Sequence, residues 1–255
     1  MGLNRFFSRL FGRVVQPTAQ NTAKIQSAES VLPLVLFDLD DTIIDGDSAS
    51  LWTKFMLQRG LVDNDFIAEE QAMMAQYTDG NMSMEEYMHF TLAPLRTMNE
   101  QEVAHQTTLF VHSEIKNRIY PQALKAIRHY QTVGCRLIII SATADFIVQA
   151  VAQTLNISEV IAIQTELKDG HYTGKTYGIL SYQQGKVQRL KAHLGGQYEK
   201  LIKQAIFYSD SCNDLSLLNE VGHPIVVNPD SVLQQHATKC GWLIENWKYE
   251  HIYGE

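Results

Sequence analysis

The sequence predicts an α/β fold: a parallel sheet with helices on both faces and a helical cap inserted near its start. Three observations carry this. Short continuous apolar runs such as "LVLF" and "LIII" recur, which suits strands buried on both faces. Amphipathic helical patterns separate them, as parallel strands require crossovers. Between Ser48 and Glu114 the alternation stops, and that stretch is helical in character and rich in methionine.

Taken in order, residues 1–30 differ from the rest. "NRFFSRLFGRVV" mixes phenylalanines with Arg5, Arg9 and Arg13, then gives way to polar sequence. The arginines interrupt the apolar run, which is then too short for a membrane span and makes a poor secretory signal. An N-terminal extension is expected, with peripheral membrane contact through residues 1–15 as a second reading. From Leu34, "LVLFDLD" reads as a strand. "PQALKAIRHYQTVG" reads as a helix, with Pro121 in its first turn and Gly134 past its end. "CRLIIIS" is a second strand, followed by the helical "ADFIVQAVAQTL". "VIAIQTEL" and "HYTGKTYGIL" are strands around Asp169-Gly170, a hairpin turn signal. The helix "GKVQRLKAHL", the strand "AIFYSD", the helix "NDLSLLNEV" and the strand "PIVVN" follow. The expected division is a Rossmann-like core over residues 31–48 and 115–255, with a cap over 49–114.

Composition narrows the function. A net charge of −7 argues against a nucleic-acid partner, which would meet a basic face. Cys135, Cys212 and Cys240 show no CxxC pairing, which points to a reducing cytoplasm. The nine histidines are scattered, so zinc is not expected.

The stretch "VLFDLDDTII" crowds Asp38, Asp40 and Asp41 at the end of a strand. Two carboxylates about 4 Å apart repel by roughly 1 kcal/mol in water and by more near a protein. A positive partner is therefore required. A calcium loop fails, because counting from Asp38 or from Asp41 leaves Ile43 where a glycine or a ligand is needed. "GHYTGKT" has three residues between its glycines rather than four, and lies in the hairpin, so it is no nucleotide loop. What remains is a constellation: "DLDDT" after one strand, Ser141 ending the next, Lys186 opening a later helix, and "SDSCND" ending another strand. Carboxyl ends of parallel strands gather at one edge of a sheet, where ligands bind.

With these motifs in this order, residues 34–245 resemble the haloacid dehalogenase superfamily of phosphohydrolases. The helical insert, "FYSDSCNDLSLL" and "VGHPIVVNPD" are similar to its phosphoserine phosphatase branch. The resemblance implies a magnesium-dependent phosphomonoester hydrolase working through an aspartyl-phosphate. It makes Asp38 the nucleophile and Asp40 the general acid/base. It has Ser141 hold a phosphoryl oxygen, with Ala142 and Asn213 beside the substrate, and Lys186 neutralise charge. It has Asp38, Asp40 and Asp210 bind Mg²⁺, with Asp214 in support. The chemistry suits these residue types. A carboxylate that attacks phosphorus divides one hard displacement into two, and a metal lets two anions meet.

The substrate is expected to be a small phosphorylated metabolite, since a cap excludes water and large ligands alike. Asp47 matches the position where phosphoserine enzymes carry an acid for the substrate ammonium; a helix-terminal aspartate is the plainer reading. The cap stretch "MHFT" lacks the arginine those enzymes use for the carboxylate, offering only His89, with Arg96 farther on. An amino-containing phosphate without a carboxylate, L-histidinol phosphate, therefore fits best, with Trp52 or Phe90 available to its ring if either lines the cap. Phosphoserine is the runner-up; a phosphotransferase and a non-catalytic phospho-ligand sensor are further alternatives.

Overall fold

Residues 33–248 are described in a computed structural model; the expected extension over 1–30, with its amphipathic segment, lies outside the described residues. The first strand, β1 (Leu34–Phe37), is buried at every position. The chain then runs through α1 (Ser48–Gln58), α2 (Asn64–Thr78), α3 (Met84–Thr91), a 3-10 turn (Ala93–Thr97) and α4 (Glu100–Phe110). A π-helical turn (Val111–Ile115) leads to α5 (Pro121–Thr132), β2 (Arg136–Ala144), α6 (Asp145–Thr154) and β3 (Glu159–Ile163). A hairpin follows, β4 (Thr165–Lys168) and β5 (His171–Thr176). Next come α7 (Gln184–Leu194), α8 (Tyr198–Ile202), β6 (Ile206–Ser209) and α9 (Leu215–Leu218). The last elements are β7 (His223–Val227), α10 (Ser231–Cys240) and β8 (Leu243–Glu245).

Six strands form one parallel sheet in the order β3-β2-β1-β6-β7-β8. The chain builds outward from β1 on one side, then returns to build outward from β6 on the other. The reversal leaves a crevice at the carboxyl ends of β1 and β6, where ligands bind in such sheets. Beneath it the core is aromatic. Phe37 stacks on Tyr208 at 4.7 Å, and the Tyr130 and Tyr208 hydroxyls share a hydrogen bond of 2.9 Å. Trp247 closes the far side of Tyr208 with centroids 5.5 Å apart.

Three differences from the sequence reading have physical causes. "VIAIQTEL" is not one strand. Ile161–Ile163 are buried against β2, but beyond Gln164 the chain leaves the sheet to pair with β5. The hairpin turn itself is as expected, with Asp169 and Gly170 at φ 52° and 76°. The hairpin, expected as part of the core segment, packs on the inserted helices: Glu100 N donates to Gly170 O at 3.0 Å and Tyr172 N to Met98 O at 3.3 Å. Arg96 lies across Gly174, where a Cβ would sit 2.5 Å from its Nε. Finally, α8, α10 and β8 carry no long apolar run and were not foreseen.

Candidate active site

Each strand end delivers its polar groups because the neighbouring apolar side chains are tied down. After β1, Leu39, Ile43 and Ile44 are fully buried, and the Leu39 carbonyl accepts from both Ile43 N and Ile44 N. With those three plugged into the core, Asp38, Asp40 and Asp41 face the crevice. Asp41 adopts φ 51°, a left-handed turn that aspartate tolerates, and its N–H donates to Gly46 O at 3.2 Å. Asp38 N donates to Tyr208 O at 2.9 Å, which locks β1 to β6 at this point.

Lys186 opens α7 and is buried, with its ammonium 2.7 Å from Asp38 Oδ1 and 2.7 Å from the Asp214 carboxylate. Ser209 Oγ also donates to Asp214 at 2.7 Å. Burial alone would lower the lysine pKa; the carboxylates of Asp214 and Asp38 outweigh it and hold the ammonium above its ordinary range. Position 185 must be glycine here, because a Cβ would stand 1.9 Å from the Leu180 carbonyl. The preceding Gln183 sits at φ 47°, a strained conformation for a side-chain-bearing residue.

Asp40 is held from two sides. Ser48 N donates to its Oδ1 at 2.7 Å and Thr143 Oγ1 to its Oδ2 at 2.6 Å. Burial raises its pKa to about 7, helped by the charges of Asp47 and Asp38. Asp38 is raised to about 6, mainly by burial, with Lys186 pulling the other way. Asp210 is pushed well up by burial and by the charges of Asp38, Asp214 and Asp41, against a hydrogen bond from Thr42 Oγ1 at 3.1 Å. The cause is common to all three: several carboxylates share one ammonium in a place with little water.

All nine residues anticipated from sequence line one crevice of about 220 Å³: Asp38, Asp40, Asp47, Ser141, Ala142, Lys186, Asp210, Asn213 and Asp214. Asp47 caps α1, accepting from Ser50 N at 2.6 Å, so the plainer reading holds alongside its place in the crevice. Asn213 Oδ1 accepts from Tyr182 OH and Gln183 Nε2, each at 3.2 Å. Two expectations are corrected. Trp52 is buried among Phe55, Phe110 and Phe146, and Phe90 stacks on Phe66; neither lines the crevice. The aromatic lining is Tyr77, Tyr87 and Tyr182, with Met74, Met84 and Met88 beside it. His89 is exposed and joined to Arg96 at 2.8 Å, away from the crevice. Sequence reasoning also missed Thr143, although its spacing of two from Ser141 on a strand puts both on one face.

Among the described residues, no three His, Cys, Asp or Glu side chains form a ready-made metal cage. Magnesium does not need one: it keeps several waters and takes one or two carboxylates plus substrate phosphate. Among the described residues the side-chain partner of Asp38 is Lys186 and that of Asp210 is Thr42, and the surplus negative charge calls for a cation. The donor set fits that ion.

Together these features define a doubly wound α/β protein with an acidic, lysine-bridged crevice under inserted helices. The chain belongs to the haloacid dehalogenase-like hydrolase family, whose sequence model matches residues 35–219. It is 35% identical to a histidinol-phosphatase of Neisseria meningitidis over 84% of this chain and 99% of that one. A phosphoserine phosphatase of Lactococcus lactis is 27% identical over 74% of this chain and 80% of its own. Among solved structures, a Bordetella pertussis protein of unknown function superposes with a TM-score of 0.79 at 30% identity, covering 86% of this chain and all of that one. A substrate-bound phosphoserine phosphatase superposes with a TM-score of 0.62 at 17% identity, covering 85% and 93%; that likeness concerns the fold. No helix of the described residues is long and apolar enough to cross a membrane.

Proposed function

We propose that the protein is a Mg²⁺-dependent phosphomonoesterase that hydrolyses L-histidinol phosphate through an aspartyl-phosphate. The observation that carries the substrate is the sign of the crevice. Lys186 is the one cationic side chain lining it among the described residues, and Asp38 and Asp214 already engage that ammonium. A substrate carboxylate would have no partner there, and burying one unpaired is costly. A substrate whose far end is an ammonium and an imidazole meets Asp47 and the tyrosines instead. The similarity to the Neisseria histidinol-phosphatase supports the same reading.

The residues divide the chemistry as follows. Lys186 engages Asp38 Oδ1 and orients the carboxylate that attacks phosphorus. Asp40, with a pKa of about 7, is protonated in a useful fraction near neutrality. It gives its proton to the departing alcohol oxygen as the phosphorus–oxygen ester bond breaks. The resulting carboxylate then takes a proton from the water that attacks the aspartyl-phosphate, releasing inorganic phosphate and restoring Asp38. Ser141 and Ala142, in the carboxyl-terminal half of β2, border the transferring group. Asp38 and Asp210 would hold Mg²⁺ through side-chain oxygens; Asp40, with both carboxylate oxygens engaged, has its main-chain oxygen to offer. When bound, the ion offsets the negative charge that nucleophile and phosphate bring together. A sensor would not need an acid poised like Asp40.

The domain division belongs to the same proposal, with one addition: the cap over 49–114 works together with the hairpin of residues 165–176. The three cysteines, which are free, suit a reducing cytoplasm. The test is a side-by-side comparison of kcat/KM with Mg²⁺. L-histidinol phosphate is expected to exceed O-phospho-L-serine. A tenfold or greater preference for phosphoserine overturns the substrate, and no phosphate release from either overturns the hydrolase.

A further inference from the structure

The cap contains a buried carboxylate that the chemistry above does not use. Glu70, on α2, is 5% exposed, although most of that helix faces solvent. Its Oε1 accepts the hydroxyl proton of Tyr87, on α3, at 2.7 Å. Glu70, Met74 and Tyr77 fall at i, i+4 and i+7 on one face of α2; Met84, Tyr87 and Met88 fall at i, i+3 and i+4 on one face of α3. Five of these six line the crevice, and Glu70 stands behind them.

Tyr87 and Tyr77 stack with centroids 5.9 Å apart, and Tyr77 reaches Tyr182 at the same separation. An aromatic wall thus runs from the cap to the core side of the site. Tyr87 has a single hydroxyl proton and gives it to Glu70, so its hydroxyl has no donor left for the crevice; what it offers there is an oxygen lone pair and an electron-rich ring face. Donation to a carboxylate enriches both. Burial and the Glu70 carboxylate also keep the phenol above its ordinary pKa, so Tyr87 stays neutral. Electron-rich aromatic faces attract cations and N–H edges, and the methionines add polarizable surface for a flat ring.

We propose that Tyr87, polarised by Glu70, is the cap's recognition element for the imidazole ring of the substrate. This rests on the histidinol phosphate reading and adds what selects the ring, as Asp47 is assigned to the ammonium. Tyr87 is the contact residue and Glu70 the positioning residue. A phosphate ester with an ammonium but no ring leaves the pair unused; one ending in a carboxylate meets repulsion from it.

The test measures kcat and KM for L-histidinol phosphate and for O-phosphoethanolamine, which keeps the ammonium and lacks the ring. Wild type, Tyr87→Phe, Glu70→Gln and the double variant are compared, with Mg²⁺ present. Tyr87→Phe is expected to raise KM for histidinol phosphate tenfold or more with kcat changed by less than about threefold. The histidinol phosphate to phosphoethanolamine ratio of kcat/KM is expected to fall at least tenfold. Because Glu70 acts through the Tyr87 hydroxyl, the double variant should lose no more than Tyr87→Phe alone. An unchanged ratio in both single variants, equal losses on both substrates, or additive losses in the double variant would overturn the inference while leaving the hydrolase reading intact. A wild-type preference for O-phospho-L-serine would overturn the substrate reading first and this inference with it.

Discussion

Replacing Gly185 by alanine tests how closely the fold places Lys186. A Cβ at 185 would lie 1.9 Å from the Leu180 carbonyl oxygen, and Cβ contacts below 3.0 Å essentially never occur. The Leu180 loop and the start of α7 must therefore part by about 1 Å or more. The obstacle is backbone, so no side-chain rotation relieves it. Lys186 is the next residue, and its ammonium reaches both Asp38 and Asp214 at 2.7 Å. Moving it by about 1 Å would take both contacts beyond hydrogen-bonding range, and each charge-assisted bond contributes roughly 1.5–3 kcal/mol. Overpacking against fixed atoms costs a further 1–3 kcal/mol or so in stability. The expected result is a fall of several degrees in Tm and a loss of about 100-fold or more in kcat/KM. Gly196, with nothing within 4 Å of an added Cβ, is the control and should accept alanine with neither change. Tm by calorimetry and phosphate release from an aryl phosphate are the assays. Wild-type values for both in Gly185→Ala would refute the claim that this contact positions the lysine.

Three further outcomes are expected. Lys186→Met leaves Asp38 and Asp214 buried without their cation, which should cost about 3–5 kcal/mol in denaturant unfolding near neutral pH; a loss under about 1 kcal/mol would contradict the pairing. Asp38 and Asp40 have folded pKa values raised above 3.8, to about 6 and about 7, so the folded state binds more protons than the unfolded one between those limits. Their contribution is therefore greatest at low pH and is lost as pH rises from about 4 to about 7; the metal-free protein should show this decline, and Mg²⁺ should raise Tm more at pH 8 than at pH 5. Asp47→Asn keeps an acceptor for Ser50 N, since asparagine caps helices well, so Tm should hold while kcat/KM for L-histidinol phosphate falls tenfold or more; unchanged turnover would leave Asp47 a cap alone.

The sheet was legible because β1, β2, β6 and β7 are continuous apolar runs, and burial on both faces demands that. The acidic constellation was legible because Asp38, Lys186 and Asp210 sit at strand or helix ends that the sequence marks; Ser141 lies inside β2, which runs on to Ala144. The split between β3 and β4 was not, since "VIAIQTEL" holds no glycine, proline, asparagine or aspartate to mark a break, and only tertiary pairing ends β3 before Gln164. The crevice lining was not legible either. Tyr77 and Tyr87 come from different helices, and nothing in a helical stripe says whether it faces a core or a substrate. Trp52 and Phe90 are aromatic residues of the inserted segment, and their type alone does not say which way they face. Packing turns both away from the crevice: Trp52 joins Phe55, Phe110 and Phe146, and Phe90 stacks on Phe66.

The central claim is that Asp38 becomes phosphorylated. Asp40→Asn, mixed with an aryl phosphate whose leaving group needs no proton, should form the aspartyl-phosphate and hydrolyse it slowly. Acid quench within a turnover, borohydride reduction and peptide mass spectrometry should then find homoserine at position 38. An unreduced Asp38 alongside released phenol, or a phosphoryl group on any other residue, would contradict the account.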